Sequence, residues 1–341
     1  MAPSNTAAWL TSEKATPLKV NTAPYQTPSS NELVIRTHAL AINPVDWAMQ
    51  TMGNGFFPRL QYPHILGHDV AGDVMEVGSS ITGFKPGDRV LALATHGGFQ
   101  QFVVGPGNLT SAIPDSLAFE KACVLPLGLS TAAYGLYMKE YLNLQHPTCP
   151  PQAKTGKTLV IWGASTSVGC NAVQLAVASG YEVFATAGAK NFDFVKGLGV
   201  SEVWDYKSPT ATADIIAALK GKICAGALSV GHVSTPDHGV SAEDACLQIV
   251  HQSHGHKFVA MALRVPEKLP EGVTAKFILA DELDNEVAEA VYGKFLPKAL
   301  KEGKYACAPE PMVVGKGLES IQEALNVQKK GVSARKVVVT L

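Results

Sequence analysis

Between Thr158 and Ala187 the chain reads Thr-Leu-Val-Ile-Trp, then Gly-Ala-Ser-Thr-Ser-Val-Gly169, an apolar helical stretch to Gly180, and Glu182-Val-Phe-Ala-Thr-Ala187. A buried strand, a turn of small residues, a helix and a second strand, within roughly 30 residues, spell a βαβ unit. Such a turn lets the backbone approach a pyrophosphate, and the helix N-terminus behind it offers free N–H donors and a positive dipole end. The usual three-glycine fingerprint is degraded, because its positions fall on Ala164, Thr166 and Gly169. The strand–turn–helix order, more than the glycines, points to a bound dinucleotide.

About twenty residues further on, an NAD-binding protein places Asp or Glu against the ribose 2′-hydroxyl. Here the second strand closes with Thr186, Ala187, Gly188 and Ala189, followed by Lys190 and Asn191. No carboxylate stands there to repel a 2′-phosphate, and a cation sits beside it, so the expected cofactor is NADPH. The plain alternative is that Lys190 is an ordinary solvated loop lysine.

A chain of 341 residues suits two domains, and 46% hydrophobic with 17% charged residues fills a large core. A formal net charge of −1 without runs of like charge argues against nucleic acid or an acidic membrane surface as partner. The start, Met1-Ala-Pro-Ser-Asn, shows no basic-then-apolar leader, and no run approaches the ~18 apolar residues that span a bilayer. A soluble cytoplasmic protein is expected. The cysteines (123, 149, 170, 224, 246 and 307) include no C-x-x-C pair and read as small buried hydrophobes.

Strands are predicted at 158–163, 182–187, 202–206, 226–230, 257–261 and 274–280, with helices at 167–179, 192–198, 211–220 and 242–252 between them. Six strands with crossover helices make a doubly wound parallel sheet. The first 127 residues carry short β-runs (32–37, 69–77, 88–93, 99–104) separated by turn clusters such as Lys85-Pro-Gly-Asp88, as an irregular antiparallel β-domain would. After Asp281 the pattern gives helices at 286–302 and 317–328 and a strand Lys336-Val-Val-Val-Thr340. A lone strand must pair somewhere, so residues 281–341 are expected to return to the domain of residues 1–127, leaving 128–280 as the dinucleotide domain.

The chain resembles the medium-chain dehydrogenase/reductase superfamily over essentially its whole length. The resemblance is carried by Asn43-Pro-Val-Asp46, Gly67-His-Asp-Val-Ala-Gly72, Phe84-Lys-Pro-Gly-Asp-Arg-Val90, Gly98-Phe-Gln-Gln-Phe-Val103, Leu125-Pro-Leu-Gly-Leu-Ser-Thr131, the turn 158–169 and Trp204-Asp-Tyr206. It is most similar to fungal reductases of the ToxD/CipB kind, and more distantly to quinone oxidoreductases and trans-acting enoyl reductases. The resemblance implies an α/β protein with a GroES-like irregular β-domain and a doubly wound Rossmann domain.

In the zinc enzymes of this superfamily Cys, His and Cys hold the catalytic metal; motif alignment puts those positions on Asn43, His68 and Leu127. Leucine cannot ligate and an amide is a poor substitute for thiolate, so the chain is expected to be zinc-free. Reducing a plain carbonyl then loses its electrophile. Conjugate reduction of an activated C=C needs hydride at the β-carbon, a hydrogen bond to the developing enolate oxygen and a proton at the α-carbon. The candidate donors are Asn43, His68 and Thr131. His68 also reads as a histidine bonded within its domain, and Thr131 as the N-cap of a helix 131–139 at the domain junction. In many relatives a lysine follows Asn-Pro-Val-Asp-Trp; here the residue is Ala48.

By the same resemblance Val45 and Asp46 contact the cofactor, Ser165, Thr166, Ser167 and Val168 meet the pyrophosphate, Gly188, Ala189, Lys190 and Asn191 the 2′-phosphate, and Tyr206 the adenine side. Val230, Gly231 and Leu263 end their strands at the carboxyl edge, and Val332 and Ser333 approach the nicotinamide. Trp47, Met52, Phe56, Phe57, Tyr62, Leu127, Leu129 and Tyr134 are expected to line the substrate pocket, with about half the aromatic ones serving as core instead. Their character favours a small apolar or conjugated substrate.

The leading expectation is an NADPH-dependent, zinc-independent reductase of an enone, quinone or enoyl thioester, acting as a monomer or homodimer. Two alternatives stand beside it: a zinc-free carbonyl reductase or alcohol dehydrogenase using His68, and a cofactor-binding protein with little catalysis.

Overall fold

Period-two apolar patterning gives way to alternating strand and helix patterns near residue 157, and the architecture changes at the same place. The structure is a computed structural model describing residues 3–231, 241–279, 283 and 285–341. The chain divides into two compact units, Met1–Leu127 with Cys307–Leu341, and Gly128–Ala306.

The chain opens with β1 (Asn5–Leu10), β2 (Lys19–Ala23), β3 (Glu32–Ala41), α1 (Pro44–Met52) and β4 (His64–Ile65). It continues through β5 (Asp69–Val77), β6 (Arg89–Leu93), β7 (Phe102–Pro106), β8 (Thr110–Ala112), α2 (Phe119–Ala122) and α3 (Pro126–Tyr137). The alternating region holds β9 (Lys157–Trp162), α4 (Ser167–Ala178), β10 (Glu182–Ala187), α5 (Phe192–Gly197) and β11 (Glu202–Asp205). Then come α6 (Ala211–Ala218), β12 (Ile223–Ser229), α7 (Ala242–Gln252), β13 (Phe258–Met261) and β14 (Thr274–Phe277). The last stretch holds α8 (Asn285–Ala288), a π-helical segment Glu289–Phe295, α9 (Leu296–Lys301), β15 (Glu310–Lys316), α10 (Ile321–Lys330) and β16 (Arg335–Thr340).

In the first unit, a sheet runs β15-β16-β3-β5-β6-β8, with β7 also on β3, and a smaller one runs β2-β1-β4. All pairs are antiparallel except β15 with β16. The terminal strand finds its partner in β3, with Val338 opposite Ala41 and Val339 opposite Leu40. Gly72 is required where β5 crosses β3, because a Cβ there would stand 1.9 Å from the Arg36 carbonyl oxygen. The core lies under these strands, around Leu10, Ile35, Leu40, Leu66, Phe99 and Val339.

The second unit carries a parallel sheet in the order β11-β10-β9-β12-β13-β14. The order reverses between β9 and β12, and such a switch point, at the carboxyl ends of the strands, is where doubly wound folds hold ligands. Buried apolar strands are what helices on both faces require.

Three sequence expectations are corrected here. Residues 283 and 285–306 belong to the second unit, not the first. Tyr305 donates from its hydroxyl to Asn171 Oδ1 at 2.7 Å, Gln174 bonds both the N–H and the carbonyl of Ala306, and Tyr292 meets Ser130 at 2.7 Å. These bonds hold the segment to α3 and α4. The β-run predicted at 99–104 forms its strand at Phe102–Pro106, because Phe99 turns its ring into the core and spends its backbone elsewhere, its N–H on the Leu66 carbonyl and its carbonyl on the Ala8 N–H. The helix predicted at 131–139 begins at Pro126, so Thr131 lies inside α3 and is no N-cap. The end of the strand expected at 274–280 and the proposed boundary between Ala280 and Asp281 lie outside the described residues. No helix among the described residues is long and apolar enough to cross a membrane.

Candidate active site and dinucleotide cradle

Asn43-Pro-Val-Asp46 builds one end of the site through helix capping. Asn43 is the extended N-cap of α1, Pro44 occupies the first helical position where no N–H is needed, and Asp46 Oδ2 reaches back to accept from the Asn43 N–H at 2.7 Å. The other Asp46 oxygen accepts from His68 Nδ1 at 2.9 Å. A carboxylate can only accept, so Nδ1 carries the hydrogen and Nε2 is left as the ring's second polar atom.

His68 stands just before β5, which Asp69 opens. Gly67 before them sits at φ +94°, and a Cβ there would strike the Phe99 ring. Asp69 Oδ1 accepts from the Leu127 N–H at 2.6 Å, and its Oδ2 accepts from Asn43 Nδ2 at 2.8 Å and from Lys336 Nζ at 2.8 Å. Lys336 also donates to Asn43 Oδ1 at 2.5 Å. The pairing of β16 with β3 carries Lys336 here, with Ile42 N–H bonded to the Val337 carbonyl.

Asp46 and Asp69 are fully buried and Lys336 is 4% exposed, whereas the His68 side chain keeps 28% of its exposure. Two buried carboxylates face one buried ammonium, and a protonated His68 brings the sum to zero. An uncompensated buried charge costs several kcal/mol, so the balance favours imidazolium. Burial acts to lower the His68 pKa, but the hydrogen bond and charge of Asp46, aided by Asp69, outweigh it against opposition from Lys336, and the net shift is upward. Burial, with the charge of His68, lowers the pKa of His64.

Sequence reasoning missed Lys336, which reads as one more residue of a terminal strand; its only signal is a lysine at the head of Val-Val-Val. Asp46, expected to touch a cofactor, is enclosed with both oxygens engaged, so its role is to hold His68 and the start of α1. Val45 is half-buried on α1. Among the described residues no group of three or more His, Cys, Asp and Glu is placed to hold a metal ion.

The expected pocket residues divide. Trp47, Phe57 and Tyr62 pack against the first unit's core, and Trp47 Nε1 donates to Gln328 Oε1 of α10 at 2.5 Å. Met52 and Phe56 are exposed, and Leu127 is half-buried. In the second unit Leu129 is wholly buried in α3, a core residue and not a lining one. Tyr134 is half-buried with its ring edge-on to Tyr141, and Thr131 is half-buried.

The cradle in the second unit has the close backbone approach a pyrophosphate needs. Gly163 sits at φ +97°, where a Cβ would stand 2.0 Å from the Val230 carbonyl oxygen, and a Cβ on Gly169 would stand 2.2 Å from the Gly163 carbonyl oxygen. Thr166 caps α4, its Oγ1 accepting from the Gly169 N–H at 3.0 Å. Ser165, Thr166, Ser167 and Val168 are all half-exposed at this helix start. At the end of β10, Ala189–Asn191 form a 3₁₀ turn with Lys190 exposed, and the Tyr206 ring lies 3.6 Å from where a Gly188 Cβ would be. Val230 bonds the Trp162 carbonyl at 2.8 Å, which joins the ends of β9 and β12 at the switch point. Gly231 follows it, and Leu263 stands exposed just beyond β13. These residues fit a nicotinamide dinucleotide. Val332 and Ser333 belong to the first unit, in the turn between α10 and β16.

Residues 29–115 match the alcohol dehydrogenase GroES-like domain family. The dehydrogenase azaJ of Aspergillus niger is 49% identical, with 99% of each chain covered. The zinc-binding alcohol dehydrogenase domain-containing protein cipB of Emericella nidulans is 43% identical over 99% of this chain and 98% of its own. The trans-enoyl reductase himH of Aspergillus japonicus is 38% identical over 99% and 97%. Among solved structures, the CurK enoyl reductase superposes with a TM-score of 0.72 at 20% identity, covering 98% of this chain and 99% of that one, a likeness of fold. The chain is therefore an oxidoreductase of the medium-chain dehydrogenase/reductase superfamily, and belongs with the fungal dehydrogenases that include CipB and trans-enoyl reductases.

Proposed function

We propose that the protein is an NADPH-dependent, zinc-independent reductase of activated C=C bonds in an enone, quinone or enoyl thioester. The observation that carries this reading is the His68–Asp46 pair: a half-exposed imidazole held by a buried carboxylate is an acid aimed through Nε2. The trans-enoyl reductase name of one relative supports the same class.

A nicotinamide dinucleotide, when bound, supplies the hydride for the β-carbon. Thr166 and the N–H groups opening α4 bind its pyrophosphate, and Lys190, with no acid at the end of β10, accepts the 2′-phosphate. His68 Nε2–H and Asn43 Nδ2–H stabilise the oxygen on which negative charge develops, and His68 holds the proton that neutralises it.

The residues at the inherited metal positions do not fit zinc. Asn43 has both ends of its amide committed, to Lys336 and to Asp69, and Leu127 has no ligating side chain, its N–H being given to Asp69. One imidazole remains, where catalytic zinc needs about three protein ligands.

The test is NADPH oxidation by purified protein against one enone, one quinone, one enoyl thioester and one aldehyde, with NADH in parallel. Turnover of an alkene or quinone, faster with NADPH, is the expected result. Turnover of the aldehyde alone assigns a carbonyl reductase acting through His68, and stoichiometric reduction without turnover assigns a binding protein; either outcome overturns the reading.

A further inference from the structure

Lys336 lies in β16 followed by Val337, Val338 and Val339, all fully buried, where an apolar side chain would complete the strand. Burying an ammonium at 4% exposure is expensive unless its hydrogens and charge are matched. Here two of its donors are spent on two specific atoms, Asp69 Oδ2 and Asn43 Oδ1. Asp69 also takes a hydrogen from Asn43 Nδ2. The Asn43 amide thus sits with its carbonyl oxygen on a cation and its nitrogen on an anion.

That arrangement permits one orientation only. Turning the amide over would set –NH₂ against the ammonium and a carbonyl oxygen against the carboxylate, so both contacts would become repulsive. Charge-assisted bonds at both ends also polarise the amide, strengthening its N–H as a donor. A carboxamide nitrogen carries two hydrogens. Asp69 takes one, and the other makes no bond among the described residues.

We propose that Lys336 is a positioning residue that, with Asp69, locks and polarises the Asn43 amide so that its second Nδ2–H is presented to the substrate oxygen. The proposal rests on Asn43 acting as a donor in the reductase reading. Lys336 acts through Asn43 and does not touch the substrate.

The first readout needs no turnover. The side-chain amide of Asn43 is observed in ¹H–¹⁵N spectra and assigned by its disappearance in Asn43→Ala. Lys336→Met is expected to shift or broaden that signal, and Lys336→Arg, which keeps a cation and donors, to preserve it. The second readout is enone reduction. Lys336→Met is expected to lower kcat about tenfold or more while leaving the KM for NADPH within about twofold. Lys336→Arg should restore most of the loss, and Lys336→Met with Asn43→Ala should be no slower than Asn43→Ala alone.

An unmoved Asn43 signal in folded Lys336→Met, or losses that multiply in the double variant, would overturn the proposal. If Lys336→Met does not fold, Lys336→Met/Asp69→Asn removes both buried charges while keeping an acceptor for the Leu127 N–H, and carries the same expectations. If the wild-type protein turns over no acceptor, the reductase reading fails, and the amide spectrum still decides whether Lys336 orders Asn43.

Discussion

His68 Nδ1 stands 2.9 Å from Oδ1 of Asp46, a carboxylate with no solvent exposure whose other oxygen holds the first turn of α1. One aspartate therefore couples the capping of a helix to the protonation and aim of an imidazole. Asp69, Lys336 and His64 complete the set of charged and titratable groups that act on the ring.

The upward shift at His68 has a thermodynamic consequence. A histidine that is more basic folded than unfolded adds stability that is complete below its ordinary value of 6.5 and disappears as pH rises through the raised value. The difference in Tm between wild type and His68→Gln should be largest at about pH 6 and shrink toward about pH 9. A difference that stays constant across this range would mean that the imidazolium contributes nothing to folding.

Lys190→Asp places a carboxylate where β10 ends without one. The KM for NADPH should rise roughly tenfold or more, about 1.4 kcal/mol, while the value for NADH changes by less than about twofold. Equal losses for both cofactors would remove Lys190 from the 2′-phosphate site.

Thr166→Ala deletes the cap that accepts from the Gly169 N–H. The cost is about 1 kcal/mol, seen as a fall in Tm of roughly 2–4 °C. Cofactor affinity should weaken with it if this turn holds the pyrophosphate as proposed. Thr166→Ser keeps the hydroxyl and should recover both; thermal melts and cofactor titration check this.

Leu129 and Phe56 separate packing from substrate contact. Leu129→Ala empties a wholly buried position and should cost about 2–5 kcal/mol. Phe56 is 68% exposed, so Phe56→Ala should change stability by less than about 0.5 kcal/mol while raising the KM for apolar substrates. Denaturant melts and substrate titrations of both variants are the measurement. An unchanged KM in Phe56→Ala would remove that ring from the pocket.

Metal analysis tests the donor chemistry. With Asn43 and Leu127 unsuited as ligands, the purified protein should carry substoichiometric zinc, and dialysis against a chelator should leave turnover unchanged. Zinc near one per chain, lost together with activity, would contradict this.

Much of the second unit was legible because its signals are local. The turn at 163–169, the strands at 182–187 and 202–205 and the helix at 242–252 follow from apolar runs, a Thr or Ser cap and small residues within a few positions of one another. The strand misplaced at 99–104 and the helix misjudged at Thr131 failed because a short apolar run pairs or coils according to what lies opposite it.

The sequence by itself determined the strand–turn–helix at 158–178, the absence of an acid after β10 and the presence of Asn and Leu at positions 43 and 127, since each depends on which residue types occupy a short stretch. It also held Asn43, Asp46 and His68 as separate marks along the chain. Only the tertiary structure decided that Asp46 is enclosed beneath His68 and that Leu129 is core. The same is true of Lys336, carried from the far end of the chain to close a charge network with Asp69 and Asn43. The reason is physical: the cost and sign of a buried charge depend on which groups surround it, and strand pairing between β16 and β3 sets those neighbours across nearly three hundred residues.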